Sequence, residues 1–504
     1  MTVHLVGAGP GDPGLITVRG AELLARADVV VHDRLSAREL LDLAPPDAEL
    51  IDVGKSPDGP STPQSAINEL LVERGRRGQT VVRLKGGDPF VFARGAEEAA
   101  ALAAAGVDYE VVPGITSALA VPAYAGIPVT LRYSSTSVTI VTGHEDPSKG
   151  RTDVGWEALA RVGGTIVVLM GVRNLPRIAE RLVAGGLSPD TPAAAIRWGT
   201  RPTQQTVRAT LSTLADHDLA SPATIVIGDV AGERLDWFER RPLLGRTVVV
   251  TRTRDQSPQL ARRLRDAGAE VLVAPTIAVE DPADGAAALR DAVSRISTFD
   301  WVVLTSPNGA ARFAAELRDG RDLAGVSVAV IGPGTAAAIA EARITADLVP
   351  PHFVAESLLD AFPDPPPGGG RVLLARAAVA RDVLPDGLAA RGWDVEVVEA
   401  YRTVGVSYDD DTRARVRAAD AVTFTSSSTA EHFVAALGGP DAAAAGAPPV
   451  VACIGPVTAA TARELGLEVT AEAAVHSIDG LVDAVVDAVS GVGVGVVPGG
   501  SDAR

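Results

Sequence analysis

Residues 300–313 read DWVVLTSPNGAARF: a β-branched apolar run, a Thr-Ser-Pro turn and the opening of an alanine-rich helix. The same grammar returns at 420–433 as DAVTFTSSSTAEHF. Further on, IGPGTAA at 331–337 is answered by IGPVTAA at 454–460. Both matches keep the same order at an offset of roughly 120 residues, the signature of a duplicated structural unit. Each unit reads strand, polar turn, helix, then strand, polar turn, helix. Two copies of one α/β lobe predict a two-lobed protein with a cleft between the lobes. In parallel sheets, ligands gather where strands end and helix N-termini offer free N–H groups. Ser and Thr at those turns also act as N-caps. Capping alone accounts for one such turn; four in register point to ligand contact.

Outward from the repeat, short Val/Ile runs alternate with Ala/Leu/Arg/Glu segments of helical period along the whole chain. Val3–Val6, Val29–Val31, Val81–Leu84, Ile166–Met170, Val248–Val250, Val302–Leu304 and Val328–Ile331 read as buried strands. Their alternation with helices predicts α/β architecture with largely parallel sheets. The charged, proline-containing stretch LDWFERRPLL at 235–244 breaks the pattern, which places the main boundary near 240. The segment PDPPPGGG at 363–370 is a loop inside a domain, and residues 490–504 read as a flexible tail.

At 504 residues the chain exceeds one hydrophobic core. Its net charge of −17 argues against nucleic acid or an anionic membrane as partner, because the field of the whole molecule repels polyanions. Only three of its 46 basic residues are lysines, Lys55, Lys85 and Lys149. G+C-rich codon usage accounts for most of that bias, though arginine forks also suit the two-point grip of carboxylates. One cysteine, Cys453, permits neither an internal disulfide nor a multi-cysteine metal site, and its apolar run reads as core. No metal is expected. Met1 to Leu5 runs into Gly7 without a basic start or long apolar stretch, and no run reaches the ~20 apolar residues of a membrane span. A cytoplasmic protein is expected.

The first strand runs into VGAGPGDPG at 6–14. Its glycines let backbone approach a ligand closely. A dinucleotide turn is the obvious rival, with Asp28 or Asp33 as the acid about twenty residues on. Against it, the third glycine of G-x-G-x-x-G falls on Asp12, and Pro10 and Pro13 remove N–H groups that would cradle a pyrophosphate. A second glycine loop, RLKGGDPFVF at 83–92, holds Asp88 before a proline. There the carboxylate either binds amino or hydroxyl groups of a ligand or closes an Asx turn.

VGAGPGDPGLIT, RLKGGDPFVFARGAEE, VVPGITSALAVPAYAGIPVT, TIVVLMG and SPATIVIGDV occur in the order seen in tetrapyrrole methyltransferases. Residues 1–240 resemble the uroporphyrinogen-III C-methyltransferases, with lobes of about 1–113 and 114–240. The resemblance implies S-adenosylmethionine held by Pro10, Gly86, Gly87, Asp88, Val91, Thr116, Ser117, Met170 and Gly199, and acid–base roles for Asp33 and Lys55. It also allows a homodimer through this domain. The sequence departs from the family at Ala93, Ala96, Leu169 and Ser56, none of them a proposed contact.

The repeat region, with RAAVARDVLPDGLAARGWDVEVVEAYRT at 376–403, resembles uroporphyrinogen-III synthase over 245–487. That implies lobe one of about 245–280 plus 402–487, lobe two of about 281–401, and a cyclisation of hydroxymethylbilane that needs no cofactor. Tyr401 matches the family's tyrosine and would protonate the leaving hydroxyl; anchoring a strand end by its OH is the plainer role. Thr305, Ser306, Asn308, Thr335, Arg376, Ser426, Ser427 and Thr458 are the implied substrate-carboxylate contacts, with Arg252 and Arg381 as further basic groups. Taken together, the chain reads as a fusion in which the C-terminal half makes uroporphyrinogen III and the N-terminal half methylates it at C2 and C7 to precorrin-2. The competing reading is a different precorrin methylase joined to a non-catalytic two-lobed binding module.

Overall fold

The computed structural model describes residues 2–34, 36–54, 62–144 and 154–491. The chain separates into two compact units: Met1–Thr247 with Leu264–Glu270, and Val248–Arg263 with Val271–Arg504. No helix among the described residues is long and apolar enough to cross a membrane.

The first unit begins with a sheet of β1 (Val3–Gly7), β2 (Val29–His32), β3 (Glu49–Asp52), β4 (Val81–Lys85) and β5 (Tyr109–Val112), ordered β3-β2-β4-β1-β5. All four pairings are parallel. Both faces are covered, so the strands are apolar at successive positions, and the alternation decides which core each side chain joins. Val3, Leu5, Val29, Val31 and Val81 enter one cluster with Leu71 and Leu102. Val6, Val30, Val82 and Leu84 enter the other with Leu23 and Leu24. Arg83 and Lys85 belong to β4 and not to the loop after it, and both are buried on the side of Val81.

The second sheet holds β6 (Val138–Thr142), β7 (Thr165–Leu169), β8 (Pro192–Arg197), β9 (Gln205–Thr210) and β10 (Ala223–Ile227), ordered β6-β7-β10-β8-β9. Only β6 and β7 run parallel; the other three pairings are antiparallel. This sheet is the exception to the largely parallel pairing of the other three. Residues 198–204 join β8 to β9, too short a link for the crossover a parallel pair needs. The boundary stretch at 235–244 is also no slack linker. Trp237 and Phe238 both stack on Tyr124 with ring centroids 4.8 Å away, and Trp237 Nε1 donates to Ala123 O at 2.9 Å.

In the second unit, β11 (Thr247–Val250), β12 (Glu270–Val273), β18 (Ala421–Phe424), β19 (Val450–Cys453) and β20 (Ala471–Glu472) form a sheet ordered β12-β11-β18-β19-β20. The intervening chain builds a sheet of β13 (Ile277–Glu280), β14 (Trp301–Leu304), β15 (Ser327–Val330), β16 (Gly370–Ala377) and β17 (Trp393–Gly405), ordered β13-β17-β16-β14-β15. The strand β13 leads into this second lobe and the long β17 leads back out, antiparallel to each other. The repeat maps β14 onto β18 and β15 onto β19. The position of β16 beside β14 then matches that of β11 beside β18, although β16 follows its partner in the chain and β11 precedes its own. The two lobes are therefore circular permutations of one another.

Candidate active sites

In the first unit, the ends of β1, β4 and β5 run into three glycine turns that interlock. The N–H of Gly9 donates to Gly87 O at 3.2 Å and that of Gly87 returns to Gly9 O at 2.7 Å. A Cβ on Gly7 would lie 2.4 Å from Gly114 Cα, and one on Gly114 would lie 2.3 Å from Gly87 O. Only bare backbone fits, which is the physical need behind those glycines. Gly87 has φ +70°, and its missing Cβ would point toward Ser117 N and Thr116 Cα, 3.9 Å off. The structure thus brings the Pro10 loop, Gly86, Gly87, Asp88, Thr116 and Ser117 into one cradle. Pro10, Gly86 and Val91 keep partial exposure along it. Exposed Phe90 and Phe92 supply apolar surface on the same loop.

Asp88 closes an Asx turn: Oδ1 accepts from Phe90 N at 2.8 Å, while Oδ2 accepts from Gly114 N at 3.0 Å. The carboxylate therefore fastens the second turn to the third. Thr116 caps the helix Ser117–Tyr124. Met170 follows β7 with φ 56°, a strained backbone, and is 48% exposed. Gly199 owes its lack of a side chain to Val121, whose Cγ1 would lie 2.3 Å from an added Cβ.

Sequence reasoning missed the role of Asp12. It stands where a dinucleotide turn has glycine, and it ties the first glycine loop to the turn between β8 and β9. Its N–H donates to Thr200 Oγ1 at 3.0 Å, Tyr124 OH donates to Oδ2 at 2.8 Å, and Oδ1 caps Gly14 N at 2.8 Å. Burial and then the carboxylate push the Tyr124 hydroxyl well above its ordinary range, so it stays a donor. Asp33, at the end of β2, accepts from Arg83 at 2.7 Å and keeps a side chain 29% exposed. Lys55 lies outside the described residues.

In the second unit, the repeated turns match in backbone. Ser306 and Ser426 are N-caps with φ/ψ of −159/156° and −161/159°, and Gly332 and Gly455 are N-caps with φ of 179° and 177°. A cavity of about 610 Å³ in this unit is lined by Arg252, Gln256, Thr425, Ser426, Gly334 and His476, among others. Arg252 is the group whose charge burial disfavours there, and no carboxylate offsets that among the described residues. Its Nε is buried without a partner. Its Nη2 donates to Gln256 Oε1 at 3.3 Å, so the guanidinium has an amide partner and, among the described residues, no carboxylate, a chemistry suited to an anion beside hydroxyls and a helix N-terminus. Gln256 approaches Asn308 Oδ1 at 3.5 Å from the other lobe. Gln256 and His476 carried no sequence signal, since neither falls in a repeated turn.

Several expected contacts are otherwise engaged. Arg376 donates to Asp382 at 2.7 Å and to the carbonyl of Arg381 at 3.0 Å, and Arg381 pairs with Glu356. Ser427 Oγ bonds Thr461 Oγ1 at 2.8 Å. Thr335 and Thr458 occupy the third position of their helices and are 2% and 5% exposed, which leaves them little surface for a carboxylate. Thr305 and Ser306 remain half-buried at the turn. Tyr401 is 8% exposed within the lobe-two core, with its ring edge 3.8 Å from where a Cβ on Gly309 would sit. The described residues hold no cluster of three or more His, Cys, Asp or Glu fit for a metal ion.

The family "Tetrapyrrole (Corrin/Porphyrin) Methylases" matches residues 2–215, and "Uroporphyrinogen-III synthase HemD" matches 258–483. The porphyrin biosynthesis protein HemD of Ruminiclostridium josui is 38% identical over 502 residues, covering 96% of this chain and 97% of that one. A relative of that span is at odds with an unrelated binding module as the second half. The S-adenosyl-L-methionine-dependent uroporphyrinogen III methyltransferase of Methanosarcina barkeri is 52% identical over 232 residues, 45% of this chain and 91% of that one. The uroporphyrinogen-III C-methyltransferase of Bacillus subtilis is 45% identical over 317 residues, 62% of this chain and 65% of that one.

Proposed function

The chain belongs to the tetrapyrrole methylases in its N-terminal part and to the HemD uroporphyrinogen-III synthases in its C-terminal part, and from that membership we propose that it catalyses two consecutive steps of tetrapyrrole synthesis. The C-terminal unit cyclises hydroxymethylbilane to uroporphyrinogen III with inversion of ring D. The N-terminal unit methylates that product at C2 and C7 to precorrin-2.

The observation that carries the methyltransferase reading is the interlock of Gly7, Gly87 and Gly114, which leaves a cradle floored by backbone. Those turns fit S-adenosylmethionine, an elongated ligand without phosphate, held along the Pro10 loop, Gly86–Asp88, Val91, Thr116–Ser117, Met170 and Gly199. Bound there, it supplies an electrophilic methyl group. The carbon that receives the methyl must then release a proton, and Asp33 takes it up, held toward the site by Arg83 at 2.7 Å. Lys55 joins it as proton donor or carboxylate anchor. In the synthase unit, the substrate's acetate and propionate arms meet Arg252 and the turns at Thr305–Asn308 and Ser426–Ser427, which fold the linear chain and hold its ends together. Tyr401 assists departure of the hydroxyl. Thr335, Thr458 and Arg376 contribute through their helix ends and loop, not as open side chains.

The decisive experiment is incubation of the full chain with hydroxymethylbilane and S-adenosylmethionine. Precorrin-2 supports both halves. Unmethylated type-III product removes the methyltransferase reading, and a type-I product removes the synthase reading. The proposal includes a homodimer through the N-terminal unit, decided by sedimentation equilibrium, and residence in the cytoplasm.

A further inference from the structure

Behind Asp33, on the face of β4 that packs against the helix Gly95–Ala104, four charged side chains meet: Arg83, Lys85, Glu98 and Asp33 itself. Glu98 is 0% exposed, and Arg83 and Lys85 are each 2% exposed. Glu98 Oε1 accepts from Lys85 Nζ at 2.8 Å, Arg83 Nε at 3.1 Å and Gln64 Nε2 at 3.2 Å. Its Oε2 is buried with no partner. Arg83 has every nitrogen assigned. Nε meets Glu98, one terminal nitrogen reaches the carbonyls of Val31 and Leu84 at 3.3 Å each, and the other donates to Asp33 Oδ1 at 2.7 Å.

A planar guanidinium fixed at three edges cannot rotate, so the carboxylate it holds is placed by the protein interior. Stability does not explain this arrangement. Burying ions carries a desolvation cost about as large as what an ion pair returns, and apolar side chains of the same volume serve a core as well or better. Burial, and then the neighbouring Arg83, lower the basicity of Lys85, and Glu98 opposes that shift. The crowding of three donors on one oxygen, with the other left unpartnered, serves the orientation of Arg83 and not the satisfaction of Glu98.

We propose that Glu98 and Arg83 form a buried relay that fixes Asp33 for proton transfer, so that Glu98 is a positioning residue of the methyl-transfer site although it meets no substrate. The inference rests on the reading of Asp33 as the acid–base group. Asp33 is faced by Arg83 and Lys85 from β4, by Asp52 at the register position beside His32, and by its own neighbours His32 and Arg34.

The test compares Asp33→Asn, Arg83→Gln, Glu98→Gln and the Arg83→Gln/Glu98→Gln double variant in the full chain, assayed with uroporphyrinogen III and S-adenosylmethionine. Glu98→Gln is expected to lower kcat by about ten-fold or more while both KM values stay within about two-fold, because a misplaced group loses rate without losing ligand. Arg83→Gln is expected to lower kcat likewise with both KM values within about two-fold, since the carboxylate loses the donor that holds it in place. The double variant is expected to be no slower than the slower single one, because both act along one chain of contacts. Affinity for S-adenosylhomocysteine reports folding of the unit. Where Glu98→Gln loses it, Glu98→Asp keeps the buried charge balance, pulls the carboxylate back by one methylene and carries the same expectation. An inactive Asp33→Asn beside a fully active Glu98 variant, or losses that multiply in the double variant, overturns the relay alone. A fully active Asp33→Asn overturns the assignment of Asp33 and the relay with it.

Discussion

The backbone N–H of Asp12 donates to Thr200 Oγ1 at 3.0 Å, which fastens the glycine loop after β1 to the strained turn after β8, where Trp198 and Thr200 both have positive φ. With the Tyr124 hydroxyl on its carboxylate, Asp12 closes one side of the cradle across both lobes of the N-terminal unit. Asp12→Ala removes the cap on Gly14 and strands Tyr124 OH. We expect a loss of about 1–3 kcal/mol in the unfolding of that unit, a KM for S-adenosylmethionine raised several-fold, and an unchanged synthase rate. Calorimetric scanning and the two separate assays check this. A variant equal to the parent in both would show that the clamp does not hold the cradle.

Gly87 and Gly114 are neighbours with different needs, and their alanine variants separate ligand space from packing. At Gly87 an added methyl meets only ordinary contact distances, with a left-handed backbone strain of about 1 kcal/mol. It projects into the cradle, so S-adenosylhomocysteine affinity should fall at least ten-fold with little change in Tm. At Gly114 the methyl would meet Gly87 O at 2.3 Å, so the backbone must move and the unit should lose stability before affinity is tested. Isothermal titration and thermal unfolding of both variants decide it; the reverse ranking would contradict the geometry.

Arg252 carries a charge that burial disfavours and that no carboxylate compensates among the described residues. Arg252→Gln should leave the second unit as stable as before, or more so, while raising KM for hydroxymethylbilane by about ten-fold or more, the worth of one charge-assisted hydrogen bond. Steady-state cyclisation kinetics with a denaturant melt measure both. Lower stability at unchanged KM would show that the guanidinium serves the fold.

Cys453 is fully buried at the end of β19, between β18 and the edge strand β20, and burial pushes its thiol up to about 11. The native thiol should resist aromatic disulfide reagents at pH 8 and react only as the lobe unfolds. The unfolded chain ionises this thiol near pH 9 while the folded one holds its proton, so stability from this group is present below pH 9 and declines as pH rises toward 11. Labelling rates that track the unfolding transition check this, and rapid labelling of native protein would refute it.

Apolar runs marked β1, β2 and β4 of the first sheet and the internal repeat marked its four turns, because buried parallel strands and helix caps leave short local signals; the mixed edge strands β3 and β5 do not stand out as apolar runs. The second sheet's antiparallel pairing hides in a seven-residue link, 198–204, whose meaning depends on which strands it joins. Asp88 was readable as an Asx turn, and the carboxylate does close one. What stayed invisible depends on distance in sequence. Arg83 and Lys85 look like a polar loop until Glu98 and Asp33 arrive around them. Gln256 lacks any periodic mark, and the engagement of Arg376 with Asp382 follows from a local turn that spacing does not disclose.

The permuted order of the C-terminal lobes bears on how the chain matures. Thr251 Oγ1 donates to Thr423 O, a partner 172 residues later, while every strand of the inserted lobe from β14 to β17 is contiguous. As the polypeptide leaves the ribosome, the inserted lobe is complete while β11 still lacks its central neighbour β18. The lobe that supplies Arg252 must therefore wait, half-built, for the one it flanks.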